Sequence, residues 1–158
     1  MAVRRAFIGL AAGFFSLLTC AVAPGGGSAW AADKAVAARE LEILQPRVPQ
    51  NRLAKAKALK NPLTINAEAV ARGGSIYKAR GTCVVCHGAR GRGDGDMGAM
   101  FDPPPRDFKH AAWQSARTDG EIFWAIKYGT EEGMPRFEGK LSDEEMWGLV
   151  AYLRSLGK

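Results

Sequence analysis

The sequence predicts a small all-α domain folded around a covalently held group, and three observations carry that expectation. Two capping boxes, Thr118-x-x-Glu121 and Ser142-x-x-Glu145, each open a stretch whose apolar residues recur at helical spacing. No apolar–polar alternation of useful strand length accompanies them. The third observation is Cys83-Val84-Val85-Cys86-His87. C-x-x-C-H is the spacing at which two thiols add across the vinyl groups of a haem and the adjacent imidazole coordinates its iron.

The elements follow in chain order. Met1 to Arg5 carries two arginines, no charge occurs from Ala6 to Ala32, and Phe7 to Val22 is strongly apolar. This pattern predicts a signal peptide over residues 1–31, with Ala29-Trp30-Ala31 as the small-x-small site and cleavage between Ala31 and Ala32. The alternative is retention as an N-terminal anchor; the apolar core is marginal for a bilayer, which takes roughly 20 residues, and Pro24 to Gly27 would end such a helix. Leu17-Leu18-Thr19-Cys20 is a poor lipoprotein box, and Arg4-Arg5 matches only part of a twin-arginine signal.

Residues 32–66 form an Ala/Lys/Arg-rich extension interrupted by Pro46, Pro49 and Pro62. Seven basic side chains stand against three acidic ones here, whereas residues 67–158 hold thirteen of each. The basic excess of the mature chain therefore lies in the extension, which reads as a solvated linker or loose arm. The sharper reading is an arm that steers an acidic partner or touches an anionic membrane surface.

Residues 67–158 supply the helical domain. Asn66 caps a first helix with Val70, Gly73/Gly74 and Tyr77 on one face, leading into the C-x-x-C-H motif. Gly88 to Gly98 and Asp102 to Arg106 are Gly- and Pro-rich turn segments. A second helix opens at Thr118, presents Ile122, Ala125 and Ile126, and ends near Tyr128-Gly129; a third opens at Ser142 with Met146, Leu149, Val150 and Leu153 aligned. The domain is short of conventional core, and a bound haem supplies the missing apolar body.

Other uses of the motif fit less well. A structural zinc site takes four ligands, and only Cys83, Cys86, His87 and the distant His110 are on offer. A thioredoxin-like pair belongs beside a βαβ pattern, which the sequence lacks. The iron's sixth ligand must come from a segment able to reach the haem face opposite His87. Met134 meets that need, in a loop beyond a helix and flanked by Gly133 and Pro135. Met146 lies on an apolar helical stripe, where methionine is ordinarily core filler, and Met97 and Met100 follow His87 too closely. His110 is the competitor and would make a bis-imidazole site of lower potential.

These residues resemble the class I monohaem c-type cytochromes, and within them the haem domains of cbb3-type oxidase subunits. The resemblance runs from about Ala67 to Leu156. It rests on Gly73 and Tyr77 ahead of Cys83-Val84-Val85-Cys86-His87-Gly88, on Tyr128-Gly129-Thr130 followed by Gly133-Met134-Pro135, and on the final helix Ser142 to Leu156. It implies a cytochrome c-like fold in which a first-helix glycine packs against a last-helix aromatic, Tyr152 or Trp147. It also implies one haem c, Cys83 and Cys86 as attachment points, His87 and Met134 as axial ligands, and a proline-loop carbonyl from Asp102 to Pro105 on the second nitrogen of His87. Arg106, Trp113 and Arg136 are candidates for the haem propionates. One departure is local: five residues separate Tyr77 from Cys83.

The function expected is a periplasmic electron carrier rather than an enzyme. It would pass one electron between a donor dehydrogenase or reductase and an acceptor such as a terminal oxidase through transient contacts. The alternatives are a haem protein that binds a small ligand at iron, and a cytochrome subunit docked to a larger redox complex. No nucleophile–base or carboxylate pair stands in catalytic context, Asp94, Asp96 and Asp102 lack the calcium-loop spacing, and nothing points to nucleic acid.

Overall fold

The computed structural model describes residues 26–158. Helices α1 (Gly26–Leu44), α2 (Gln50–Ala58), α3 (Ala67–Lys78), α4 (Val84–His87), α5 (Ala111–Ala116), α6 (Asp119–Tyr128) and α7 (Asp143–Leu156) follow one another, with a 3₁₀ turn at Gly98–Met100. The fold is all-α and cytochrome c-like, as the sequence predicts. The expected leader, residues 1–31, and the alternatives raised for it fall largely outside the described residues. Among the described residues no helix is long and apolar enough to cross a membrane.

The three predicted helices begin where their caps require. Asn66 Oδ1 accepts the Ala69 amide of α3 at 2.9 Å. At α6, Thr118 Oγ1 accepts from Glu121 N at 3.2 Å while Glu121 Oε2 accepts from Thr118 N at 2.8 Å. Ser142 and Glu145 make the same reciprocal pair on α7, at 3.1 and 2.8 Å. Each box satisfies amides that have no partner inside the helix.

α3 and α7 cross at contact distance because glycine lies at the crossing. A Cβ on Gly73 would stand 2.0 Å from the Gly148 carbonyl oxygen and 2.9 Å from Tyr152 Cβ, and one on Gly74 would meet the Tyr152 ring at 3.1 Å. Tyr152 is thus the aromatic partner; Trp147 instead stacks on Phe123 of α6 at 4.1 Å. Tyr77 is only 1% exposed, its ring 5.1 Å from that of Tyr152 and its hydroxyl donating to the Gly88 carbonyl at 2.7 Å. The extra spacing before Cys83 therefore does not remove Tyr77 from the core. Met146, Leu149, Val150 and Leu153 are buried on α7, so Met146 is core filler.

Residues 32–39 are exposed, but from Glu42 onward the extension differs from a solvated arm. α1 runs to Leu44, Pro46 and Pro49 turn the chain, and α2 packs on α6 with Ala56 fully buried. Gly120 permits that approach, since a Cβ there would lie 2.0 Å from the Ala56 carbonyl oxygen. Leu59 and Leu63 then pack against the main core. Composition counted the charges of this segment correctly, and Arg52, Lys55 and Lys57 are exposed. It missed that small residues on both helices let backbones meet, so that few apolar side chains suffice.

Candidate haem site

α4 is a single turn that carries the motif. Cys83 precedes it and its carbonyl accepts the His87 amide at 2.8 Å, while the Gly-rich loop folds back so that Gly93, Gly95 and Met97 donate to the carbonyls of His87, Cys86 and Val85 at 2.9, 3.2 and 2.9 Å. The loop thereby satisfies the exposed carbonyls at the end of a helix too short to do so itself. Gly88 leaves the turn with φ +76°, a conformation that favours glycine. This segment is a hydrogen-bonded loop, in keeping with the turn chemistry of its glycines.

Above α4 lies a cavity of about 440 Å³, bounded by Cys83, Cys86, His87 and Met134 together with apolar side chains such as Ile122 and Phe137. His87 is buried, its ring stacked on Phe108 at 4.5 Å, and its Nδ1 lies 3.3 Å from the Arg106 carbonyl oxygen. An Nδ1–H donating there leaves the Nε2 lone pair for a metal and fixes the ring, the usual outer partner of a ligating histidine. Burial pushes the His87 pKa down to about 4, so the imidazole is neutral, as a ligand must be. Burial also pushes the Cys83 thiol up to about 11.

The carbonyl on His87 comes from Arg106 and not from Asp102 to Pro105. The prolines act one step earlier: Pro103 and Pro105 line the cavity, and Phe108 N, donating to Gly91 O at 2.7 Å, pins the chain beyond them. Met134 is half-buried in the loop after α6, held by Thr130 N donating to its carbonyl at 3.0 Å. His110 lies outside the cavity. Its Nδ1 accepts the Trp113 amide at 3.4 Å and its Nε2 is 3.4 Å from Glu40. Met97 also lines the cavity, but its amide bond to Val85 ties it to the cysteine turn. Met100 is 74% exposed and is not among the lining residues.

Of the expected propionate contacts, Arg106 and Trp113 line the cavity and Arg136 does not. Arg106 is largely engaged: its guanidinium donates to Glu42 O at 2.7 Å, Glu42 Oε1 at 3.0 Å and Gln45 O at 2.8 Å. Burial, with Arg47 nearby, lowers its pKa to about 10. Sequence reasoning missed Gln45, Arg47 and Val48 from the extension, and Arg117 and Glu132 from the domain. The only signal for Arg117 is its place just before a capping box; Arg47 had none.

A test of whether haem suits this cavity comes from its polar atoms. Arg47 Nε, Arg117 Nε, Thr130 Oγ1 and Glu132 Oε2 are buried without a hydrogen-bond partner, and all four residues line this one cavity. A buried polar group left unpaired costs about 1–3 kcal/mol. Such atoms around an otherwise apolar chamber fit a large apolar ligand that carries charged ends. Two thiols, a neutral imidazole and a thioether on the same walls complete the donor set for haem c.

Comparison with known proteins agrees. The family model for cytochrome c oxidase, cbb3-type, subunit III matches residues 68–153. The chain belongs to this family. It is accordingly a c-type cytochrome, and Cys83, Cys86, His87 and Met134 lie inside the matched region. The cbb3-type cytochrome c oxidase subunit FixP of Bradyrhizobium diazoefficiens is 29% identical over 75 residues, covering 48% of this chain and 24% of FixP. A chain of the Kuenenia stuttgartiensis reducing HAO-like protein complex is 28% identical with a TM-score of 0.55, covering 63% of this chain and 50% of that one. The KustC0563 c-type cytochrome is 35% identical with a TM-score of 0.48, covering 54% of this chain and 98% of its own. The chain thus spans about a quarter of FixP and half of the complex component.

Proposed function

We propose that this cytochrome holds one haem c through Cys83 and Cys86, with His87 and Met134 as axial ligands, and carries single electrons between a donor dehydrogenase or reductase and an acceptor such as a terminal oxidase in the periplasm. The observation that carries the reading is the convergence of Cys83, Cys86, His87 and Met134 on one cavity, while His110 is used elsewhere. When bound, the haem supplies a one-electron couple whose potential the soft thioether ligand and burial raise.

The chain's own residues do the rest. Arg106 O orients His87, Phe108 stacks on its ring, and the turn Thr130 to Met134 holds the thioether at a fixed place. With His87 and Met134 both given to the iron, a bound haem would offer no open position to a substrate, which favours a carrier over an enzyme or a small-ligand sensor. A surface groove lined by Arg52, Lys55, Trp124, Tyr128, Arg136 and Met134 brings cationic and aromatic groups to the edge of the site. It suits the acidic face of a redox partner in a small, transient contact. Docking to a larger redox complex through the same face is the alternative, and one similar structure is a chain of such a complex.

The test is spectroscopic. Haem should travel with the polypeptide in denaturing electrophoresis, and Cys83→Ala or Cys86→Ala should weaken or abolish the stain. Met134→Ala should lose the thioether-to-ferric-iron charge-transfer band, bind carbon monoxide when reduced and show a lower potential. His110→Ala and Met97→Leu should keep all three properties of the wild type. A spectrum that changes in either of those variants and not in Met134→Ala refutes the ligand assignment; tight carbon monoxide binding by the wild type refutes the carrier reading.

A further inference from the structure

We propose that residues 42–48 of the N-terminal extension form a strap that closes the haem cavity, and that Arg47 of this strap and Arg117, between α5 and α6, bind the haem propionates. The inference rests on the haem reading above. It assigns a cofactor-binding role to a segment that lies wholly outside the family-matched residues 68–153.

The strap is fastened to the domain at several points. Arg106 donates to Glu42 O and Gln45 O at 2.7 and 2.8 Å, Arg117 donates to Leu44 O, and Arg47 Nη2 donates to Pro104 O at 3.0 Å. These bonds seat Gln45, Arg47 and Val48 on the cavity wall. α2, buried against α6 through Ala56, anchors the strap's far end.

Two buried guanidinium donors then need an acceptor. Arg47, Arg106 and Arg117 all line the cavity, with side chains only 12, 10 and 10% exposed. Glu42 pairs with Arg47 at 2.8 Å and with Arg106 at 3.0 Å, and Glu121 pairs with Arg117 at 2.9 Å. Each pair engages the outer guanidinium nitrogens. Arg47 Nε and Arg117 Nε remain buried without an acceptor. Two guanidiniums with free donors on the walls of one cavity match in number the two carboxylates of a haem, and charge-assisted bonds of this kind are about twice as strong as neutral ones. Glu132 Oε2, also buried without a partner, lies on the same walls.

A cation fixed beside the haem favours the form with the added electron, so its removal lowers the potential. In the full-length haem-bearing protein, Arg47→Ala should shift the reduced-to-oxidised ratio at fixed potential toward oxidised by about three- to tenfold, the size expected of a unit charge in a partly shielded crevice. Tenfold corresponds to about 59 mV for one electron. Arg47→Lys should recover most of the potential, whereas Lys57→Ala, which removes an equal charge from the exposed face of α2, should leave it at the wild-type value. Arg47→Gln serves as a second neutral variant and is read in the same way if Arg47→Ala does not accumulate. A haem-bearing neutral variant with the wild-type potential overturns the strap inference, as does an equal shift in Lys57→Ala. Absence of covalent haem from the wild type refutes the haem reading itself, and electrophoresis with haem staining reports that separately.

Discussion

Replacing Gly73 by alanine tests the crossing that positions the haem motif. The added Cβ would stand 2.0 Å from Gly148 O and 2.6 Å from Gly148 C, both backbone atoms that cannot rotate away. α3 and α7 must then part by about 1.4 Å, the difference between 2.0 Å and the 3.4 Å at which ordinary contact begins. Overpacking of this kind costs about 1–3 kcal/mol, and alanine in a helix returns about 0.5–1 kcal/mol. The net loss, about 2 kcal/mol because backbone is involved, corresponds to a fall in Tm of roughly 5–15 °C for a domain of this size. Gly148→Ala is the internal comparison: its Cβ would meet nothing closer than 3.9 Å, so it should be neutral or stabilise by about 0.5 kcal/mol. Thermal and denaturant unfolding of the oxidised protein, followed by circular dichroism, measures both. Equal effects at the two positions, or a neutral Gly73→Ala, would refute the packing argument.

Further outcomes follow from other contacts. Tyr77→Phe removes the buried hydroxyl that donates to Gly88 O and should cost about 0.5–1.5 kcal/mol in denaturant unfolding, with the haem still attached. Glu145 accepts from Ser142 N, and that bond, aided by Arg80, holds its carboxyl below the usual range. Because the folded pKa is depressed, the resulting stability is present above the ordinary carboxylate range and is lost as pH falls through the lowered value. The gap between wild type and Glu145→Gln in denaturation midpoint should therefore narrow on acidification; a gap that widens contradicts the assignment. Intact mass of protein from the native compartment should place the mature N-terminus at Ala32, and a mass that includes residues 1–31 supports the anchored form instead.

Local rules were enough to read much of the molecule from its residues. α3, α6 and α7 start at Asn66, Thr118 and Ser142 because each cap depends on side chains within three positions of its own amides. Cys83, Cys86 and His87 are likewise legible, since haem attachment imposes a fixed spacing on a single turn. Met134 stood out through its loop context, and the structure puts it on the cavity wall with those three. Short helices without such signatures were not legible: α5 has six residues, and its cap is the His110 ring nitrogen.

What only the tertiary structure decided concerns contacts between distant segments. The sequence showed that residues 32–66 are basic; it did not show that Ala56 meets Gly120, because close approach of two backbones leaves no hydrophobic pattern to read. It placed a second partner for His87 in the proline loop, and folding moved that role one residue on, to Arg106 O. It offered Arg136 to the propionates, whereas Arg47 and Arg117 hold the buried, unpaired donors. A charge in a sequence carries its sign but not its surroundings, and a guanidinium becomes a binding group only when packing strips it of water and leaves one of its donors without a partner.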